Sequence, residues 1–176
     1  MVRNMRQRLF VTDSLGRGGP RKRIPGGTSQ IATPSRRGRR GMPAESLRAL
    51  SVRLPWAALI AHGYKSIEVR SWPTDFRGAL AICSSRRWDE SEEATYQWAK
   101  YYPMSEGETG CVVCLVDLVN VRPLTNKDAR AACATRFETV DGLHAWVLKS
   151  PKPLRPAPVT GRLGLFEIPG SKAIPV

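Results

Sequence analysis

The sequence predicts an α+β fold: a small, strongly bent sheet or open barrel of about six strands with two or three helices, behind a disordered basic tail. Three observations predict it. Strand-sized apolar segments recur from residue 50 to residue 168, too short for helices and rich in β-branched residues. Helix start and stop signals interrupt them at two or three places. Composition also switches abruptly near Leu47. Strands with interspersed helices, and no repeat, fit a single α+β layer arrangement.

The elements follow in chain order. Leu50–Arg53 reads as a short strand. Pro55 suits the first position of a helix, and Gly63 suits the residue after its end. Lys65–Arg70 alternates, with Ile67 and Val69 facing one way with Lys65, and Ser66, Glu68 and Arg70 facing the other. Ala79–Cys83 is an apolar strand beyond a Pro73–Gly78 turn. Asp89 and Glu92 resemble a capping box that opens a helix through about Tyr101. Cys111–Val121 is a long strand, and Thr125 caps a short helix running to Cys133. Leu143–Leu148 is a strand, Ser150–Pro158 a Pro-rich connector, and Arg162–Ile168 the closing strand. Domain organisation is thus a tail (1–46), a folded domain (47–170) and a loose end (171–176).

Charge divides along the same boundary. The 176 residues carry a formal net charge of +13. Residues 1–47 hold eleven Lys/Arg against two acids, and residues 48–176 hold seventeen against thirteen. A segment so rich in Arg, Gly, Pro and Ser buries too little apolar surface to offset its ordering entropy. Its densest basic knot is Arg36, Arg37, Arg39 and Arg40. Excess positive charge favours polyanions through counterion release, so nucleic acid is the leading partner class. A solubilising leader is the plainer reading of the tail, and Met42 is an alternative start. No apolar run approaches the roughly 18–20 residues that a membrane span needs, so no membrane partner is expected. The four cysteines are expected to be reduced and buried, in a cytoplasmic protein.

Few motifs carry chemistry. Cys111 and Cys114 lie three apart in a strand, which turns their sulfurs to opposite faces, and no second pair follows. No metal and no cofactor are therefore expected. His62 and His144 sit at element ends and need no catalytic role. Asp117 interrupts a strand, and pairing with Arg53 or Arg70 is the favoured reading over solvent exposure. The remaining unit is Gly63-Tyr-Lys65-Ser-Ile-Glu68-Val-Arg70, flanked by Trp56 and Trp72. Read plainly, it is a surface strand with an ordinary ion pair worth little. Read functionally, aromatics beside Arg and Lys offer stacking for bases and charge for phosphates. Glu68 would accept hydrogen bonds from exocyclic amines. Arg77, Arg86 and Arg87 would widen the positive surface. For Trp56 core packing is the stronger reading; for Trp72 the two stand even.

These residues resemble the signature of the ASCH (activating signal cointegrator homology) family of the PUA-like superfamily. The opening motif matches at Leu50, Ser51, Pro55, Trp56, Ala57, Leu59, Ile60, Gly63, Lys65, Glu68, Arg70 and Trp72, then at Arg77, Gly78, Leu80 and Ile82. The resemblance implies a PUA-like open β-barrel in which the Lys65–Glu68–Arg70 unit lines a cleft. It implies nucleic-acid binding, RNA ahead of DNA. Some relatives are enzymes, acting on N4-acetylcytidine or on RNA phosphodiesters. The amidohydrolase branch places a Thr nucleophile where this chain has Glu68, so the resemblance does not carry that covalent mechanism over. A carboxylate-based variant would use Glu68 as general base and Lys65 to stabilise developing negative charge.

Overall fold

The computed structural model describes residues 46–176. The tail, with Arg36, Arg37, Arg39 and Arg40, lies outside the described residues. Six strands and two helices appear in the order β1 (Ser46–Val52), α1 (Trp56–Ala61), β2 (Ile67–Arg70), β3 (Gly78–Ser84), α2 (Glu92–Lys100), β4 (Cys111–Pro123), β5 (His144–Pro158) and β6 (Leu165–Pro169). Short 3-10 turns occupy Asn126–Asp128 and Gly170–Lys172.

The strands form one sheet in the order β2-β5-β4-β3-β1-β6. Only β1 and β3 run parallel, and every other neighbouring pair is antiparallel. In a flat sheet, four strand spacings would separate β2 from β1 by about 19 Å. Yet Arg70 on β2 donates to the Ser51 carbonyl on β1 at 2.7 Å. The sheet must therefore curl until its ends approach, which makes it the open barrel expected from the residues.

Periodicity decides what the curl buries. Leu50 and Val52 on β1, Leu80 and Ile82 on β3, and Cys114, Val116 and Leu118 on β4 join Trp146 and Leu148 in one core. Five α1 residues, Ala57–Ala61, are buried, and four of them, Ala57, Ala58, Ile60 and Ala61, belong to that core. Alternate residues of the same strands, Ala49, Ala81 and Cys83, face a second cluster with Phe166 and Ile168. A third, around Ile67, Leu124, Ala132, Phe137 and Ala145, packs the outer side of β2 against the 124–137 segment.

Several boundaries differ from the sequence reading, each for a physical reason. Pro55 is the residue before α1 rather than its first member, and the helix starts at Trp56. Gly63 does stand just past the end, with φ +78°. There its amide donates to the Ile60 carbonyl and the Tyr64 amide to Leu59, a Schellman closure that turns the chain sharply into β2. Helix α2 is capped by Ser91, which accepts from the Ala94 amide, while Asp89, two residues earlier, accepts from the Ser91 amide. Thr125 does stand at a cap position, in a reciprocal box with Asp128 that the sequence reading did not name, but only a single 3-10 turn follows instead of a helix to Cys133. The Pro-rich stretch is no connector: β5 runs unbroken to Pro158 along β4. Beyond residue 147 β2 no longer flanks it, and that edge is met only locally by the C-terminal segment, where the Arg155 amide donates to the Ile174 carbonyl, so its prolines sit on an edge where a missing N–H costs little. Asp117 is exposed opposite Lys149, between the buried Val116 and Leu118, and no pair with Arg53 or Arg70 forms.

A buried Lys–Glu–Arg cluster as candidate site

The turn after α1 and the edge strand β2 bring the charged residues together. Strand pairing begins at Ile67, so Lys65 precedes the ladder and escapes its alternation. The Ser66 and Ile67 amides donate to the Ala131 carbonyl, and the Leu148 amide to the Ser66 carbonyl, which fixes the bend. Lys65 therefore shares a side with Glu68 instead of opposing it. This corrects the face assignment read from the alternation.

The geometry is close and dry. Lys65 Nζ lies 3.4 Å from Glu68 Oε2, and Arg70 Nη2 lies 3.0 Å from Glu68 Oε1. Lys65 is 5% exposed and Glu68 is 7% exposed. Lys65 also donates to the Ala132 carbonyl at 2.9 Å and stands 5.4 Å from the Trp56 ring centroid. Arg70 reaches the Ser51 carbonyl, one residue past the last β1–β6 pair, Leu50 with Leu165. One carboxylate thus faces two cations, leaving a local excess of one positive charge. Burying such a cluster is costly unless every member is paired, and here both carboxylate oxygens are engaged.

Aromatic rings frame it. Trp56 is half-buried and packs against the main core, and its indole N–H donates to Asp89 at 2.9 Å. Core packing is thus part of its role, and holding Lys65 is the other part. Trp72 stands edge-on to Trp146 with ring centroids 4.7 Å apart, and its carbonyl accepts from the Trp146 indole. Across the β2–β5 ladder Trp146 sits opposite Glu68, and His144 opposite Arg70. Tyr64 stacks at 4.7 Å on Tyr101, the residue closing α2, and so pins the turn that carries Lys65.

The outlying arginines are divided. Arg77 precedes β3 and folds back onto the Thr74 and Phe76 carbonyls. Arg86 and Arg87 follow the other end of that seven-residue strand, roughly 20 Å away. All three are exposed. Arg86 and Arg87 leave β3 at the end where Ser51 pairs with Cys83, so they share the end of the barrel that Arg70 reaches.

Sequence reasoning missed the groups that hold the cluster in place. Asp89 read as a helix cap, and nothing in the sequence ties it to an indole 33 positions earlier. The Ser51 and Ala132 acceptors are backbone carbonyls, 19 and 67 positions from their donors, and carry no residue signature.

A curled sheet closed by this cluster defines a class. A family model for the ASCH domain matches residues 50–156, and the chain belongs to that family, which is generally associated with RNA binding. Activating signal cointegrator 1 of Homo sapiens is 29% identical over 112 residues, covering 58% of this chain and 19% of the relative. The Mus musculus protein of the same name is 28% identical over 112 residues, with the same coverage. The chain thus corresponds to a small part of those relatives' length. Among solved structures, ASCH from Zymomonas mobilis is similar with a TM-score of 0.49 and 16% identity, covering 71% of this chain and 89% of that one. A mutant form of that protein gives a TM-score of 0.47 at 14% identity, over 71% and 91%.

Proposed function

We propose that this chain is a nucleic-acid-binding domain, RNA ahead of DNA, that takes a nucleotide or base against the Lys65–Glu68–Arg70 cluster. One observation carries the reading. Two buried ionic groups, Lys65 and Glu68, are joined by the largely covered Arg70 from the same short segment, beside half-buried tryptophans, where an apolar core would serve stability as well or better. Trp56 and Trp72 supply ring faces, Lys65 and Arg70 supply charge, and Glu68 is placed to accept from an exocyclic amine. Arg77, Arg86, Arg87 and the basic tail add nonspecific phosphate affinity around this centre. The reduced, buried thiols suit a cytoplasmic setting.

The hydrolase reading has less support. A covalent route lacks its nucleophile, because Glu68 stands at the position where the amidohydrolase branch places its Thr. Incubation with N4-acetylcytidine and with single-stranded RNA tests it directly; turnover abolished by Glu68→Gln would reinstate it.

The binding reading is tested with residues 46–176, which keep β1 whole, and short single-stranded RNA at low salt. Lys65→Ala and Arg70→Ala, each confirmed folded by circular dichroism, are expected to weaken affinity at least tenfold. Arg77→Ala should change it less than threefold. Unaltered affinity in both cluster variants would defeat the proposal.

A further inference from the structure

Strands β3 and β4 are antiparallel neighbours, yet residues 85–110, 26 in all, separate them, where such a pair usually needs about two to five. This insert carries α2, and both of its ends are rooted on the barrel. The Ser85 amide donates to the Val52 carbonyl at 2.8 Å, the Gly110 amide to the Ser84 carbonyl at 3.0 Å, and the buried Ser84 hydroxyl to the Glu108 carbonyl. Between these roots no residue of the insert forms or lines any of the three apolar clusters. Within α2 only Ala94 and Gln97 are buried, and Gln97 Oε1 has no hydrogen-bond partner. An element with so little apolar contact is among the first to separate from a fold.

What holds the insert down is polar and aromatic, and it converges on Lys65. Asp89, just before the helix, accepts from the Trp56 indole at 2.9 Å, and the Lys65 ammonium stands 5.4 Å from that ring. Glu93 accepts from the Thr135 amide at 3.1 Å and from the Thr135 hydroxyl at 2.7 Å. Thr135 lies three residues beyond Ala132, whose carbonyl accepts from Lys65. Tyr101, closing the helix, stacks on Tyr64, the residue before Lys65. A ring, an acceptor segment and a chain neighbour thus meet Lys65, and the insert grips all three.

The cluster is shut as a result, since Lys65 and Glu68 are both buried. A ligand the size of a nucleobase reaches it only if one of the gripped groups moves. The barrel strands carry the apolar clusters and the insert carries none, so the insert gives way at the lower cost. Its exposed ties to Thr135 are single hydrogen bonds of modest net worth. The insert also holds six acids against three bases, so an incoming polyanion repels it.

We propose that the 85–110 insert is a strap, rooted at Ser84 and latched through Glu93–Thr135 and Tyr101–Tyr64, whose release uncovers Lys65 and admits a ligand to the Lys65–Glu68–Arg70 cluster. That the ligand is a nucleic acid rests on the function proposed above; closure over Lys65 rests on the geometry alone.

The experiment uses the full chain and needs no ligand in its first arm. Acetylation of each lysine by an N-hydroxysuccinimide ester is followed by mass spectrometry in the wild type, Thr135→Val, Glu93→Ala and Tyr101→Leu. Thr135→Val is the mildest, since it removes one hydroxyl and keeps the backbone donor. Lys65 is expected to react slowly in the wild type and about fivefold faster or more in each variant, with exposed Lys149 and Lys152 unchanged. Glu106→Ala, which removes an exposed acid of the same insert but no latch, should leave the Lys65 rate as in the wild type. Ellman's reagent, applied in parallel, should still find Cys83 and Cys114 protected in every variant. Lys65 rates unchanged in the latch variants, or raised equally in Glu106→Ala, would overturn the strap. So would acceleration of Lys65 together with Cys83 and Cys114, which marks loosening of the whole fold. In the second arm, short single-stranded RNA is added to the latch variants and should slow Lys65 acetylation again. Latch variants that uncover Lys65 while RNA fails to protect it would uphold the strap and sink the nucleic-acid reading of the cluster.

Discussion

Glu68 holds two cations with a single charge, and the energetics of that arrangement are lopsided. Removing one member of a buried ionic set strands the others, at about 3–5 kcal/mol, whereas replacing the whole set with apolar groups is often neutral or stabilising. Glu68→Gln is therefore expected to lower stability by about 3–5 kcal/mol in urea unfolding. Replacing Lys65, Glu68 and Arg70 together with Met, Leu and Met should restore most of that loss. It should also abolish RNA binding. A triple variant as unstable as Glu68→Gln would mean that the cluster is there for the fold and not for a ligand. The three residues were legible in the sequence because mixed charge inside a strand beside tryptophans is expensive and unusual. The side on which Lys65 lies was not legible. Strand alternation set it against Glu68, and only the tertiary bonds to Ala131 and Ala132 show that the ladder starts two residues later.

At the scale of elements, the turn after β4 shows local chemistry of which the sequence reading named only the Thr125 cap. Asp128 accepts from Arg122 through two oxygens, at 2.7 and 2.6 Å, and from both the amide and the hydroxyl of Thr125. The Arg122 guanidinium foremost, and then the Thr125 donors, hold its carboxyl well below the usual carboxylate range, against the opposing effect of burial. A depressed folded value contributes stability that is complete above the unfolded value near 4 and is lost as pH falls through the folded value. Asp128→Asn is accordingly expected to cost about 1–3 kcal/mol at pH 7. The gap to wild type should close progressively below about pH 4, as urea midpoints at pH 7, 4 and 2.5 would show. A gap that stays constant with pH would contradict the assignment. The prolines of β5 taught the opposite lesson. Residues 151–158 read as a connector because a central strand excludes proline. Which side of β5 is open depends on β2 ending opposite His144 to Val147, which no local pattern reveals.

For the whole molecule, the strand count and the curl were legible, since short β-branched segments and two capped helices have few compact solutions. The order β2-β5-β4-β3-β1-β6 was not, because it depends on long-range pairing, including the parallel β1–β3 contact. Burial across the fold also determines its thiol chemistry. All four cysteines are free and buried, and burial pushes the Cys83 and Cys114 thiols up to about 12, with Cys111 and Cys133 also raised. Ellman's reagent at pH 8 should therefore label none of the four on the time scale of minutes in the native chain, and all four in denaturant. Rapid native labelling of Cys83 or Cys114 would mean that the core opens far more readily than its packing implies.

One consequence follows from the way Arg70 spans from β2 to β1. A closed ring of strands is zipped by backbone ladders all the way round, but here no ladder joins β2 to β1 among the described residues, and the Arg70 side chain bonds across the gap instead. β2 has only four residues and one neighbouring strand, so it is the thinnest panel of the wall. Breathing of the domain should concentrate there, as a door moves on its hinge side when only a clasp holds the other. A ligand that seats against the Lys65–Glu68–Arg70 cluster would tighten that clasp, and recognition would stiffen the panel without reshaping the rest of the ring.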